Sequence, residues 1–435
     1  MVVAAPHEVL LIIFDAVAYP EPFSWPDASY NRNCAEAPFI LSSVCRNWRS
    51  IVRGTPDLWT YFGFPSDPKK DALNAHLNRL RELQTLSKDK LIDVVFRCKL
   101  DRYREYDSLE MYTAHHDYRV QIVDVLNNTA PRWRNAALRL PHILASRMDI
   151  TISDHFPALE ALSIWFDQVY MTSLPRAPRL QRLYLECSGL RMVADATAIC
   201  VPSLTSLATA TASSSVYFTF FAAKCDTLRE LCILEELSRT SSSAWIFPCL
   251  TSLTLEDASF MNVIQAPNLH SLAVNCGRLQ SVNGVALSRF AKVVQDLTIY
   301  SGIPPDLVNL LAEFSSVKSL SVGKPEIVKW GLNGAVHDIP AGMFAKLAEL
   351  APPVWPKLER MHLNCVGFGD EDVSNEEGIL AIVRARLPTD LPVRGVDQPV
   401  SLRRVDIGPN LPRSLYARLQ TLIGDSGILN QPAHM

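Results

Sequence analysis

The chain has 435 residues, of which 48% are hydrophobic and 20% are charged, a composition typical of folded domains rather than of disordered segments. A formal net charge of -3 excludes a chain-wide basic field, so neither nucleic acid nor a membrane is an expected partner. The ten cysteines form no Cys-x-x-Cys pair and no zinc-like spacing, which predicts no metal site and favours reduced thiols in the cytoplasm or nucleus.

The first part of the chain, residues 1–63, predicts a small helical module. Pro6 and Glu8 are both favourable at a helix N-terminus, so we expect a first helix over 6–18. Its apolar residues follow helical spacing: Leu10, Ile13, Phe14 and Val17. The Pro-rich segment 19–38 is predicted to be an inserted loop.

A second helix is predicted over about residues 39–53, with Val44 and Trp48 on its apolar side and Gly54 at its C-terminus. The tetrapeptide 56–59 then opens a further turn. A module of about 60 residues buries too little apolar surface to be stable alone, so we expect it to contact a partner or a neighbouring domain.

Residues 64–90 are predicted to link this module to the rest of the chain through a helix over about 69–87. The helix has one apolar stripe, formed by Leu73, Leu77, Leu80 and Leu83. We expect this stripe to cover the end of the following domain.

An internal repeat of the form apolar-x-x-apolar-x-apolar dominates residues 91–410. Ten copies begin at Leu159, Leu180, Leu204, Leu228, Leu250, Leu269, Val294, Val317, Leu358 and Leu402, and weaker copies begin at Leu91 and Trp133. The first eight copies start 19 to 25 residues apart, which matches or nearly matches the roughly 20 to 29 residues of leucine-rich repeats. The last two copies follow after 41 and 44 residues. In six copies a proline stands two residues before the first leucine, which fixes where each strand starts.

These patterns predict an α/β fold, in which the helical module precedes an irregular leucine-rich-repeat solenoid with a parallel sheet on its concave face. The leucines would fill the core, and the residues between them would face outward. Residues 411–435 are predicted to form a capping helix and a tail, with Leu415, Leu419 and Leu422 facing the last repeat.

The outward strand residues are the candidate substrate-binding face. Those of the types that often dominate interfaces, together with one neighbouring histidine, are Trp165, Arg182, Tyr184, Tyr300, Arg360, His362 and Arg404. Each one alone also fits an ordinary exposed strand residue. Taken together, they favour a surface that binds a protein.

Other polar features have simpler interpretations. Cys187, Cys276 and Cys365 follow the strand alternation and are expected to be buried thiols. His115 and His116 are expected to be solvent-exposed, and the acidic segment 369–378 is expected to be a solvated loop. The sequence contains no catalytic motif, so we predict neither an enzyme nor a cofactor.

Three motifs of the N-terminal module resemble the F-box family, in particular the F-box and leucine-rich-repeat-like proteins of mushroom-forming fungi. They are "PHEVLLIIF" (6–14), "SSVCRNWRSIV" (42–52) and "TPDLWTYF" (55–62), and they occur in the family's order. "APRWRNAALRL" (130–140) is similar to a strand entry common in the same fungal proteins. The resemblance implies a subunit that binds a Skp-type adaptor, and through it a cullin scaffold, while its repeats hold an unknown protein substrate.

Carried over position by position, the resemblance assigns ten residues to the F-box core or to the adaptor interface. They are Pro6, Val9, Leu10, Ile13, Phe14, Val44, Cys45, Trp48, Leu58 and Trp59. The sequence does not separate these two roles. Ala5 stands where the family has leucine, and the insertion after the first helix is long. The alternative is therefore a leucine-rich-repeat scaffold whose F-box-like segment caps the repeats without binding the adaptor.

Overall fold

The computed structural model describes the following residues: 6–18, 30–65, 72–98, 109–140, 144, 156–166, 176–187, 201–210, 226–234, 244–275, 282, 284–300, 311–323, 343–349, 355–363, 373–387, 401–408, 413–423 and 428–430. Helices and parallel strands together form a mixed α/β fold, as predicted. The chain divides into an N-terminal unit, 1–220, and a C-terminal unit, 221–435. None of the described helices is long and apolar enough to cross a membrane.

The N-terminal unit begins with helices and continues as a parallel sheet. Its helices are α1 (His7–Ala18), α2 (Arg32–Val44), α3 (Arg46–Gly54), α4 (Leu73–Leu86) and α5 (Leu109–Thr129), with short 3-10 turns at Pro56–Trp59 and Ala130–Arg132. Its strands are β1 (Tyr61–Phe64), β2 (Ile92–Arg97), β3 (Trp133–Leu140), β4 (Ala161–Phe166), β5 (Arg182–Cys187) and β6 (Ser206–Thr209). These strands lie side by side in chain order, and every described pairing is parallel.

The C-terminal unit repeats this arrangement. Its main strands are β7 (Glu230–Ile233), β9 (Ser252–Leu255), β11 (Ser271–Asn275), β12 (Asp296–Tyr300), β13 (Ser319–Val322), β14 (Arg360–Leu363), β15 (Arg404–Ile407) and β16 (Leu429–Asn430), all parallel and in chain order. A separate parallel pair joins β8 (Trp245–Ile246) to β10 (Ile264–Gln265), on either side of a 3-10 turn at Ala258–Asn262. The helices are α6 (Gly284–Val293), α7 (Met343–Glu349), α8 (Val373–Arg384) and α9 (Arg413–Ile423).

The proline of each repeat occupies the second position of a hydrogen-bonded turn. In all six proline-containing repeats the first leucine donates its backbone N–H to the carbonyl three residues earlier, at 3.0 to 3.4 Å. Proline suits this position because its fixed φ matches the turn. The residue after this leucine then joins neighbouring repeats through its carbonyl. For example, the Gln181 oxygen accepts hydrogen bonds from the N–H groups of both Thr205 and Ser206 at 2.9 Å. The turn therefore sets the register of every strand that follows it.

In each unit, leucines line the side of the parallel strands that faces the core. Leu162, Leu183, Leu253 and Leu320 lie at corresponding strand positions and are completely buried. Each such side chain stabilises the fold by about 1.5–3 kcal/mol relative to its exposed state. Within each unit, repetition of this contact from strand to strand makes a continuous core.

The helices of the N-terminal module differ from the prediction. Helix α2 begins at Arg32, inside the segment expected to be a loop, because the Asn31 side chain accepts hydrogen bonds from the N–H groups of Asn33 and Cys34. Pro38 lies inside this helix and is buried. The single helix expected over 39–53 is broken at Cys45, which is extended and accepts a hydrogen bond from Trp48 N–H through its sulfur.

The parallel sheet begins within the helical module, not after it. Strand β1 pairs in parallel with β2, with Phe62 opposite Val94. The Arg53 guanidinium lies 2.9 Å from Glu82 of α4, and the Lys90 ammonium lies 3.0 Å from Asp57. The leucine stripe of α4 is buried, as predicted. The boundary expected at 63/64 therefore does not separate two independent cores.

Helices fill part of the two longest spacers between repeats. Of the acidic segment expected to be a loop over 369–378, residues 373–378 lie in α8, which packs against α7. The Asn375 side chain accepts a hydrogen bond from Phe344 N–H at 2.9 Å, and a side chain at Gly378 would overlap the Phe344 backbone. These contacts between distant segments stabilise a helix that local sequence does not indicate.

The C-terminal cap is a helix followed by one further strand. Leu415 and Leu419 of α9 are buried as expected, but Ile423 is buried where Leu422 was predicted. Strand β16 then pairs with β15 through Val405 and Leu429. Two residues of the segment expected to be a tail, Leu429 and Asn430, therefore extend the sheet.

Candidate interaction surfaces

Helix α1 is apolar on two sides, and only one of them faces the core. Leu10 and Phe14 are 6% and 0% exposed. Ile12 is 71% exposed. Three further apolar residues of α1 are also exposed: Val9, Ile13 and Val17. A helix that needed only one core face would carry polar residues at these positions.

The exposed side of α2 continues this apolar character. Ile40 and Val44 lie one turn apart and are both exposed, and α2 packs against α1. Nine large apolar side chains are exposed among the described residues, and six of them belong to these two helices. We call Val9, Ile12, Ile13, Val17, Ile40 and Val44 the α1–α2 apolar surface.

The buried sides of the same helices form an aromatic core. The Trp59 indole N–H donates to the Val52 carbonyl at 2.8 Å, and its ring meets Phe39 edge-on at 5.2 Å between centroids. The Phe14 ring contacts Trp48 at 4.8 Å. This core fixes the positions of α1, α2 and α3.

The structure thus divides the ten residues assigned by resemblance. Pro6, Val9, Ile13, Val44 and Cys45 are exposed, and Trp48 is half-buried. Leu10, Phe14, Leu58 and Trp59 are buried, which fits the core role, the first of the two that the resemblance left open.

Sequence reasoning missed Ile12, and it placed Val17 and Ile40 on the apolar sides of their helices without assigning them to an exposed surface. The available signal was the uninterrupted apolar run from Val9 to Phe14, which covers more than one side of a helix.

The outer face of the sheet, opposite the leucines, is closed in the N-terminal unit. Asp93 is buried and accepts hydrogen bonds from Arg134 at 3.0 and 2.6 Å and from Asn135 at 2.7 Å. In the next row, Ser163 lies fully buried between Ala137 and Tyr184. This part of the sheet presents little surface to a partner.

Trp165 and Tyr184, predicted as substrate contacts, are buried in this closed face, so that expectation is wrong for both. Their rings contact each other at 5.1 Å, and the Arg97 guanidinium lies 4.5 Å from the Trp165 ring. The Tyr184 hydroxyl donates to Glu186 at 2.9 Å. Bulky outward residues on neighbouring strands cover one another. Arg182, on the same face, is half-buried.

The outer face is more open in the C-terminal unit. Reading across the strands, its first row is Glu230, Ser252, Ser271, Asp296, Ser319, Arg360 and Arg404, and its second row is Cys232, Thr254, Ala273, Thr298, Ser321, His362 and Asp406. Most of the serines and threonines are half-exposed. Thr254, Thr298 and Ser321 leave this part of the face half-exposed, although Cys232, Ala273 and Ser319 in the same rows are buried.

The predicted residues Arg360, His362 and Arg404 come together at one end of this face. Asp406 accepts a hydrogen bond from Arg404 Nε at 2.7 Å and lies 2.8 Å from His362 Nδ1. Arg360 lies 3.7 Å from Asp296. Arg360 and Arg404 are exposed and His362 is half-buried, so all three are available to a partner.

Tyr300, also predicted as a substrate contact, is buried at the carboxyl end of β12, and that expectation is wrong. Its hydroxyl donates to the Leu255 carbonyl at 2.7 Å. Beside it, Asn275 donates to the buried Glu256 carboxylate at 2.8 Å. Burial, followed by the nearby Glu256 charge, raises the pKa of the Cys232 thiol. This end of the face is closed by its own polar contacts.

Three further expectations concern single residues. His115 is buried in α5, which contradicts the expected exposed pair, whereas His116 is half-buried. The side chain of Cys187 and the whole of Cys276 and Cys365 lie outside the described residues. Within the part of the chain that the structure describes, no group of three or more His, Cys, Asp or Glu residues could hold a metal ion.

No model of a known protein family matches the chain, and no curated protein matches it.

Proposed function

We propose that this chain is the substrate-recognition subunit of a cullin-RING ubiquitin ligase, a leucine-rich-repeat solenoid that binds a Skp-type adaptor through its N-terminal helices. The observation that carries the proposal is the α1–α2 apolar surface. Single exposed apolar residues are ordinary, but six on two packed helices mark a contact site. They lie in or beside the segments that resemble the F-box.

We place the substrate on the open outer face of the C-terminal unit. Arg360, His362 and Arg404 supply the charged and hydrogen-bonding groups there, and the half-exposed serines and threonines supply small polar groups beside them. The buried residues Trp165, Tyr184 and Tyr300 take no part in this contact. Arg182 stays a candidate that the closed face makes less accessible.

In this proposal the chain needs no catalytic residue of its own. One surface holds the ligase and another holds the substrate, so the substrate's lysines are at high effective concentration near the conjugating enzyme.

The competing function is a repeat scaffold in which the N-terminal helices only cap the sheet. The pairing of β1 with β2 and the Arg53–Glu82 ion pair favour a capping role. Capping uses the buried side of the module, however, and gives no reason for Ile12 or Ile40 to be exposed and apolar.

The direct test is binding of the full chain to a purified Skp-type adaptor by titration calorimetry. Ile12→Asp combined with Ile40→Asp places two charges on the α1–α2 apolar surface, and we expect at least about a hundredfold weaker binding. Val285→Asp is the matched control, because Val285 is 79% exposed on α6 in the other unit. Absence of binding by the unaltered chain would contradict the proposal and favour the cap.

Leu10 and Phe14 are unsuitable for this test, because a charge at either buried position would unfold the module.

A further inference from the structure

Helix α3 carries a row of arginines beside the α1–α2 apolar surface. Arg46, Arg49 and Arg53 are spaced by three and four residues, so they share one side of the helix, and all three are exposed. The nine residues of α3 include no acidic residue. The helix is thus strongly basic in a chain whose net charge is -3.

The three arginines have different surroundings. Arg53 forms an ion pair with Glu82 at 2.9 Å and so helps to attach the module to α4. Arg49 donates to the Ser42 carbonyl at 2.9 Å, which places it at the end of α2. Arg46 follows directly after Val44 and Cys45, which are both exposed. Arg46 and Arg49 therefore lie at the edge of the α1–α2 apolar surface.

Arg46 is unfavourable for the helix that contains it. It is the first residue of α3, where the helix dipole is positive and favours an acidic side chain. A cation here costs about 0.3–1 kcal/mol of helix stability. Among the described residues, Arg46 makes no hydrogen bond or ion pair that offsets this cost, and such a residue points to an external role.

We infer that Arg46 and Arg49 form a basic border of the docking surface, and that the adaptor carries acidic side chains opposite α3. This inference rests on the proposed function. The exposed acids of α1, Glu8 and Asp15, have the opposite sign, so the acidic groups of the adaptor face α3 and not α1. Charges at an interface border mainly accelerate association and fix orientation, while the apolar centre determines how slowly the complex dissociates.

The test compares association and dissociation rates of the full chain with the purified Skp-type adaptor at low and high salt. For Arg46→Glu combined with Arg49→Glu, we expect association about tenfold slower at low ionic strength and nearly unchanged dissociation. The difference shrinks at about 1 M salt, where the screening length is about 3 Å. The neutral pair Arg46→Gln and Arg49→Gln gives an intermediate rate.

The control is Arg229→Glu combined with Arg413→Glu in the other unit, where both arginines are exposed. Each charge-reversed protein has two arginines replaced by glutamate, so its net charge falls by four, from -3 to -7. We expect the control to associate like the unaltered chain. Binding with no difference between the two variants, or with no salt dependence, overturns the basic border alone. Absence of any binding by the unaltered chain overturns the proposed function as well.

Discussion

The two units use the same repeat and the same strand register, yet one outer face is closed and the other is open. In the N-terminal unit, Trp165 and Tyr184 cover each other and Ser163 is fully buried. In the C-terminal unit, Thr254, Thr298 and Ser321 stand at the positions that correspond to Ser163 and Tyr184 and are half-exposed, whereas Tyr300, at the position of Trp165, is buried. Large outward side chains close the face of β4 and β5, whereas small ones leave part of the C-terminal face half-exposed.

This comparison reverses an ordinary expectation about binding residues. Tryptophan and tyrosine dominate many interfaces because they supply a large contact area. On a parallel sheet a large outward side chain first contacts side chains of the neighbouring strand, which lies about 4.8 Å away. Trp165, Tyr184 and Tyr300 therefore stabilise the fold, whereas Arg360 and Arg404 remain exposed.

Cysteine reactivity is expected to show the largest effect. Cys232 lies in the second outward row but is buried, whereas Cys249 of the same unit is exposed. The thiolate is the reactive form, and burial raises the pKa of the Cys232 thiol. We predict that a maleimide modifies Cys249 at least about a hundredfold faster than Cys232 in the native chain. Peptide mapping by mass spectrometry measures both rates, and equal rates would show that β7 is open.

Truncation of one outward residue in each unit is expected to give the next largest difference, measured as loss of the free energy of unfolding. Tyr184→Ala removes a fully buried ring and is expected to lower the free energy of unfolding by about 3 kcal/mol. Thr298→Ala on the open face should cost less than about 0.5 kcal/mol. Urea denaturation followed by circular dichroism measures both. Similar values would remove the distinction between the two faces.

The two faces also differ in how they hold a carboxylate. Asp93 is buried and accepts three hydrogen bonds, so we expect Asp93→Ala to cost about 2 kcal/mol. Asp406 is half-exposed beside Arg404 and His362, so Asp406→Ala should cost less than about 1 kcal/mol. The same denaturation experiment measures both changes in the free energy of unfolding. A larger loss for Asp406→Ala than for Asp93→Ala would contradict the assignment of the closed face to the N-terminal unit.

Alkaline pH gives the smallest expected effect. Burial raises the pKa of Tyr61 to about 12, although a hydrogen bond from Asn31 N–H opposes the shift. The folded state therefore keeps this proton when the unfolded state loses it, and stability falls as pH rises from about 10 to about 12. We predict a loss of about 1–2 kcal/mol from this group. Tyr61→Phe should show a flatter profile, and an unchanged profile would contradict the assignment to Tyr61.

The sequence predicted those features that depend on local chemistry or on a regular pattern. The leucine stripe of α4 and the proline turns are of this kind, because helical spacing and a fixed φ determine them within a few residues. The parallel strands follow, because each turn starts its strand at the same point.

The features that the sequence did not reveal depend on contacts between distant segments. Arg97 meets Trp165 only because three neighbouring strands bring them together, so burial of Trp165 could not be inferred from its own repeat. Likewise, α8 is a helix because Asn375 and Gly378 fit against α7. The exposed apolar side of α1 could have been predicted from the sequence, because Val9 to Phe14 is apolar without interruption.

The central claim is that the N-terminal helices bind the adaptor while the open face of the C-terminal unit stays free for a substrate. Amide hydrogen–deuterium exchange of the full chain, with and without a purified Skp-type adaptor, tests it most directly. We predict slower exchange upon binding in α1 and from Ile40 to Arg49, and no change in β14 or β15. Protection of β14 and β15, or no protection in the N-terminal helices, would contradict it.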